Sequence, residues 1–262
     1  MDGPHPLRYS DKPMEEFIPF PRTDSEHGTL DPTPQKKNLA ASTICCTFGQ
    51  LDIELDVPEG VWNPTPHGIL LGEVLEKMDF SGESIIELGT GCGVHAVVLA
   101  LRGARELLLT EIDEKILSHA KINLEKNGIE TKMRFLVADW IQVDASGYDS
   151  LVANPPFCVA GKNYRRYFID TLILDAHKLV RPGGKLIFIQ SSMADFPRTI
   201  RLMEDCGMTV QFLGEKEYPF RDYYLEDPTF MTEIDGVADS YTLRDGIRYE
   251  RLRVFEGTLP ED

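Results

Sequence analysis

From Ser84 onward, apolar runs of strand length and amphipathic runs of helix length take turns, and no other feature limits the fold as tightly. "SIIELG" reads as a buried strand and "GVHAVVLALRG" as a helix ending at Gly103. "ELLLTEID", "MRFLVAD" and "YDSLVANPP" read as further strands, with "EKILSHAKINLEKNG" a helix stopped at its glycine. "YFIDTLILDAHKLV" is a helix closed by "RPGG"; "GKLIFIQSS" is a fifth strand and "DFPRTIRLMEDCG" another helix. Strands separated by helices of this length call for a parallel sheet covered on both faces. The tail departs from the pattern. "MTVQFLGEKEYPF" and "SYTLRDGIRYERLRVFEG" read as an antiparallel edge pair, the second with its own hairpin at Arg244-Asp245-Gly246. The acidic, aromatic "RDYYLEDPTFMTEID" between them reads as an insertion loop with no helix. Ahead of the alternation, "STICCTFGQLDIELDV" predicts a β-hairpin about Gly49-Gln50, and "NPTPHGILLGEVLEKM" a proline-bearing loop and an apolar helix. Residues 1–40 are rich in proline and charge without a sustained period, which predicts a surface arm, with a substrate-closing lid as the alternative. The expected division is an arm and hairpin over 1–60 and an α/β domain over 61–262.

Charge narrows the partners. With 43 acidic against 27 basic residues, the formal charge is -16. That field repels phosphate backbones, so unaided binding of nucleic acid is disfavoured, and a small-molecule or peptide substrate fits better. The five cysteines, Cys45, Cys46, Cys92, Cys158 and Cys206, are odd in number and form no Cys-x-x-Cys pair. They predict reduced thiols and a cytoplasmic location. The six histidines have no metal-ligand spacing, so no metal is expected. No apolar stretch approaches the ~20 residues of a membrane span, and no membrane association is expected.

Two loops carry chemistry. "ELGTGCGVH" places Gly89, Gly91 and Gly93 between a strand and a helix, where glycines let the backbone turn sharply and lie against a ligand. The spacing is G-x-G-x-G, not the G-x-G-x-x-G of nicotinamide dehydrogenases, which remain the rival enzyme class. Glu111 closes the next strand, where a carboxylate can accept hydrogen bonds from both hydroxyls of a ribose. Asp113 competes for that role but suits a helix cap. Asp139, closing the third strand in "VADW", is placed either to meet an exocyclic amine of adenine or to cap a helix, with Trp140 beside the base. The second loop is "VANPPF". Two prolines cannot continue a sheet, so the strand ends on a stiff tetrapeptide, Asn154-Pro155-Pro156-Phe157.

The order "ELGTGCG", "TEID", "VADW", "NPPF" resembles the class I S-adenosylmethionine-dependent methyltransferases. More narrowly, it is similar to the branch with an Asn-Pro-Pro-Phe/Tyr motif, which includes adenine-N6 DNA, guanine-N2 ribosomal RNA and release-factor glutamine methyltransferases. The resemblance covers roughly residues 60–192. It implies a doubly wound, Rossmann-like, seven-stranded α/β methyltransferase sheet with an antiparallel edge pair and an N-terminal extension. It implies S-adenosylmethionine as cofactor, with Glu87, Gly89, Thr90, Gly91 and Gly93 around the methionine end. Glu111 then serves the ribose and Asp139 the adenine, with Ile112, Trp140 and Asn154 as further cofactor-binding candidates. "VWNPTPHGILLGEVL" resembles the segment that closes the pocket in that branch, which makes His67 a substrate-side candidate beside a plain loop histidine.

Methyl transfer to nitrogen is an in-line displacement, and the difficulty lies in a lone pair delocalised into a π system. The Asn154 side-chain oxygen and the Pro155 carbonyl are acceptors that draw electron density onto the nitrogen. The prolines hold that geometry in advance. Phe157 offers a flat face to the substrate. Asn154, Pro155 and Phe157 are therefore the candidate catalytic residues. Pro156, Phe157, His67, Tyr164 and Arg165 are the candidate substrate contacts, with Arg166 as a second cation for a carboxylate. The preferred acceptor is a small-molecule nitrogen, with protein glutamine or an RNA base as alternatives and a non-catalytic nucleotide-binding module behind them. An oligomer or a partner subunit is compatible with either alternative.

Overall fold

The computed structural model describes residues 40–61, 63–156, 166–221, 224–225 and 228–261. The predicted hairpin forms as β1 (Ser42–Phe48) and β2 (Leu51–Val57), paired antiparallel from Phe48↔Leu51 to Ser42↔Val57. Helix α1 (Pro66–Leu75) follows, with a proline in its first turn where no N–H is missed. Then come β3 (Ser84–Leu88), α2 (Val94–Leu101), β4 (Glu106–Glu111), α3 (Glu114–Lys126), β5 (Lys132–Val137) and β6 (Tyr148–Ala153). The chain continues through α4 (Tyr167–Leu179), β7 (Val180–Ser191), α5 (Phe196–Asp205), β8 (Thr209–Pro219), α6 (Pro228–Asp235), β9 (Thr242–Arg244) and β10 (Ile247–Thr258).

The central sheet runs β5-β4-β3-β6-β7-β10-β8, with β9 paired to β10. Strands β5 to β7 are parallel, and β10 runs antiparallel to β7, β8 and β9. Successive side chains of a strand point to opposite faces. Ile85, Leu107, Leu109, Val152, Ile187 and Ile189 accordingly join the core under α1, α2 and the hairpin. Ile86, Leu88, Leu108, Leu151, Leu186 and Phe188 join the core on the other face, with residues of α4 and α5. Phe48, Ile53, Leu55 and Val57 of the hairpin lie in the first of these cores.

Three details differ from the sequence reading. The sheet has a short eighth strand, β9, made by the hairpin at Arg244-Asp245-Gly246. Strand β7 starts at Val180 instead of after "RPGG", because Val180 already pairs with Tyr148 and the register then jumps to Ser150↔Lys185. A Cβ on Gly184 would lie 2.5 Å from Val180 Cγ1 and 2.7 Å from the Asp149 carbonyl oxygen, so this bulge needs a glycine. The insertion, read as a loop without a helix, contains α6. Phe230 and Ile234, one turn apart, are buried there and stabilise it by packing, although the local composition is acidic.

Candidate active site

Pairing register places the site. Leu88 of β3 aligns with Thr110 of β4 on one side and with Ala153 of β6 on the other. The next residues, Gly89, Glu111 and Asn154, therefore lie at the same level where β3, β4 and β6 end, about 5 Å apart from strand to strand. Strand β3 lies between strands reached by crossovers in opposite directions, and ligands bind at such a switch point beyond the strand ends.

The turn after β3 is built from left-handed glycines, with φ of +69° at Gly89, +55° at Gly91 and +87° at Gly93. A Cβ on Gly89 or Gly91 would meet nothing within 4 Å, so their backbone faces open space. At Gly93 a Cβ would lie 3.3 Å from Ala120, where α2 starts against α3. Thr90 is buried, and its N–H donates to the Thr110 carbonyl (2.9 Å).

Glu111 turns its carboxylate across the turn. Its Oε2 accepts from the Gly91 N–H (3.0 Å) and its Oε1 from the Ile112 N–H (2.9 Å). Burial raises its pKa, only partly offset by these amide donors. A poorly solvated carboxylate with acceptor capacity still open gains from hydroxyl donors. Asp113 is the N-cap of α3, accepting from the N–H groups of Lys115 and Ile116. Ile112 lies between them with 66% of its surface exposed, an apolar side chain at the rim.

Glu87, 2% exposed, accepts from the Thr90 hydroxyl (2.7 Å) and lies 3.3 Å from Nδ1 of His95. Nε2 of His95 donates to the Gly68 carbonyl (2.9 Å), since a carbonyl can only accept. This chain of contacts ties the glycine turn to α1. Asn154 closes the circuit: a Cβ on Gly68 would lie 3.7 Å from both Asn154 Nδ2 and His95 Nε2. His95 escaped the sequence reading because its partners, Glu87 and Gly68, meet it only in the fold. Its place in the first turn of α2, directly after the glycines, was the available signal.

The other candidates are placed unevenly. Pro155 is buried, Pro156 exposed and Asn154 half-buried. Phe157, Tyr164 and Arg165 lie outside the described residues. Asp139 begins a turn closed by the Gln142 N–H on its carbonyl (3.1 Å), and no helix follows for it to cap. Trp140, at φ +51°, donates its indole N–H to Thr171 (3.1 Å) and packs edge-on to Phe168, so its ring is engaged with α4. His67 is buried, and its Nδ1 accepts from Arg221 (3.0 Å). Burial, then the Arg221 charge, push its pKa down to about 3, so it is neutral at any working pH. Arg166 corrects the sequence reading. It is buried and donates to Asp170 (2.8 and 3.0 Å), Thr199 (2.8 Å) and the Ala194 carbonyl, holding α4 to α5 instead of facing a substrate carboxylate. Among the described residues, no group of three or more His, Cys, Asp or Glu is placed to hold a metal. No helix among them is long and apolar enough to cross a membrane.

The model of the methyltransferase small domain matches residues 68–218, more than half of the chain. The chain belongs to that family. It is similar to a Methanocaldococcus jannaschii protein named for N5-glutamine methyl transfer, 22% identical over 185 residues, covering 65% of this chain and 92% of the relative. It is similar to the release factor glutamine methyltransferase of Chlorobaculum tepidum, 30% identical over 165 residues, covering 50% of this chain and 56% of that one. The chain thus spans nearly all of one curated relative and about half of the other. In fold it is similar to a 16S rRNA N2 methyltransferase of T. thermophilus in complex with AdoMet and guanosine. The TM-score is 0.57 at 20% identity, covering 84% of this chain and 51% of that structure.

The protein is an S-adenosylmethionine-dependent methyltransferase. The residues present fit that cofactor: glycine backbone facing open space, and a half-buried carboxylate with unused acceptor capacity one strand away. When bound, it supplies a methyl group on a positively charged sulfur.

Proposed function

We propose that this methyltransferase modifies the side-chain amide nitrogen of a glutamine in a protein or peptide. One observation carries the reading: similarity to the relative named for N5-glutamine methyl transfer runs over 92% of that relative's length and 65% of this chain. The acidic balance of the chain, -16, supports a protein substrate over an RNA one. This replaces the small-molecule acceptor preferred from sequence, since both curated relatives described above are named for glutamine methyl transfer.

In this reading Glu111 accepts from the ribose hydroxyls, with Ile112 against the base and Asp139 toward its amine. Gly89, Thr90, Gly91 and Gly93 lie along the methionine end, and Glu87 fixes Thr90 and His95 beneath it. Asn154 and the Pro155 carbonyl accept from the two N–H bonds of the substrate amide. That concentrates electron density on the nitrogen as it attacks, so no strong base is needed. The proton leaves from the positively charged product nitrogen afterwards. Trp140 acts through α4, and His67 shapes the acceptor side as a neutral group.

The test is methyl transfer from isotopically labelled S-adenosylmethionine into three pools: denatured cellular protein, total RNA and a small-molecule extract. A single-methyl mass increment on glutamine in the protein pool, absent with Asn154→Ala, is the expected outcome. Label confined to RNA or to the extract overturns the glutamine assignment.

A further inference from the structure

The hairpin lies beside the cofactor turn, and one side chain joins them. Glu54 and Asp56 turn their backbone groups away from β1, toward α3. There the Asp56 N–H donates to Asn123 Oδ1 (2.8 Å), and Asn123 Nδ2 donates back to the Asp56 carbonyl (3.0 Å). One turn on, the Glu54 N–H donates to Asn127 Oδ1 (3.1 Å) and Asn127 Nδ2 to the Glu54 carbonyl (2.7 Å). The spacing fits, because two residues along a strand and four along a helix both advance about 6–7 Å. Two asparagine amides thus replace a third strand on the open edge of β2.

The two asparagines differ in one respect. Asn123 is fully buried, and Nδ2 makes a second donation, to the Cys92 carbonyl (2.8 Å). Cys92 lies between Gly91 and Gly93, the two left-handed glycines on which the turn depends. All the hydrogen-bonding capacity of the Asn123 amide except one acceptor site is spent on fixing the hairpin and the turn to one point of α3. Asn127 spends its own on the hairpin and on the Asn123 carbonyl (2.7 Å), with no bond to the turn.

We propose that Asn123 is a positioning residue of the cofactor site: it holds the Cys92 peptide, and with it the Gly91 and Gly93 backbone, in the conformation that receives S-adenosylmethionine. The hairpin is thereby part of the cofactor site without touching the cofactor. The inference rests on the methyltransferase reading.

The experiment compares Asn123→Ala, Asn123→Asp and Asn127→Ala in the full chain. The readouts are the Kd for S-adenosylhomocysteine by calorimetry, thermal stability, and hydrogen exchange of the amides from Gly91 to Gly93. Asn123→Asp keeps the side-chain shape and the acceptor for Asp56 but loses both donations, so it carries the test if the alanine variant does not fold. The expected result is a Kd raised about 10-fold or more, with faster exchange in the turn, for either Asn123 variant. Asn127→Ala loses stability to a similar extent but keeps the Kd within about 2-fold and the turn protected. Equal Kd values for Asn123 and Asn127 variants of matched stability overturn the proposal and leave Asn123 a fastening of the hairpin alone. Failure of the unaltered chain to bind S-adenosylhomocysteine overturns the cofactor assignment and this inference with it.

Discussion

Glu250 lies in β10 at 1% exposure, accepting from the Ser191 hydroxyl (2.6 Å). Burial lifts its pKa from the ordinary 4.5 to about 7, against the opposing pull of Ser191, Arg221 and Tyr224. The folded state therefore holds this proton more tightly than the unfolded chain. The stabilisation is complete below pH 4.5 and is lost as pH rises through about 7. His67 works in the opposite sense: its pKa falls from 6.5 to about 3, so its contribution is present above pH 6.5 and is lost as pH falls toward 3. In the window where both titrate, the two slopes offset each other. Glu250→Gln removes one of them. The stability difference between Glu250→Gln and the unaltered chain is expected to move in the variant's favour by about 2–3 kcal/mol from pH 4.5 to 8. Denaturant titrations at several pH values check this, and a constant difference would remove Glu250 from the pH response. At the site, Glu111→Ala is expected to weaken S-adenosylhomocysteine binding by about 1.5–3 kcal/mol by calorimetry. Asn154→Ala is expected to lower the transfer rate about 100-fold or more while leaving that affinity within a few-fold. Unaltered kinetics would take Asn154 out of the chemistry.

At the scale of elements, close approach decides which pieces hold together. A Cβ on Gly72 of α1 would lie 2.6 Å from the ring of Phe48, a fully buried side chain of the hairpin. Gly72→Ala is expected to cost about 1–3 kcal/mol, since neither the ring nor the helix has room to give. In a thermal melt of a chain this size that is about 2–4 °C per kcal/mol. An unshifted melt would mean that the hairpin moves away freely. The strands and helices from Ser84 to Cys206 could be read directly because each carries its own period, and Gly103, Gly128 and Gly207 stop α2, α3 and α5 in left-handed conformations. The bulge at the start of β7 could not, since it follows from pairing with Tyr148, distant in sequence. Helix α6 had a signal in the Phe230 and Ile234 spacing, masked by acidic and aromatic neighbours.

Over the whole molecule, the charge of -16 is the dominant fact not used by the fold. Like charges repel across the surface at low ionic strength and are screened once the Debye length falls from about 30 Å to about 8 Å. The melting temperature is therefore expected to rise by a few degrees between about 10 mM and about 150 mM NaCl. A fall over that range would mean that surface pairs such as Lys126 with Glu54 and Asp56 outweigh the net repulsion.

The sequence by itself determined the parallel sheet, the order of its loops and the residue types at each strand end. Periodicity and glycine placement are local properties and need no distant partner. The glycine turn, the carboxylate closing β4 and the Asn-Pro-Pro segment were all legible for that reason. Only the tertiary structure decided which buried polar groups would meet. His95 against Gly68, Asn123 between the hairpin and Cys92, and Arg166 turned inward to Ala194 and Thr199 each join residues far apart in the chain. A buried polar atom must find its partner wherever the fold brings one, and no spacing along the chain records where that is.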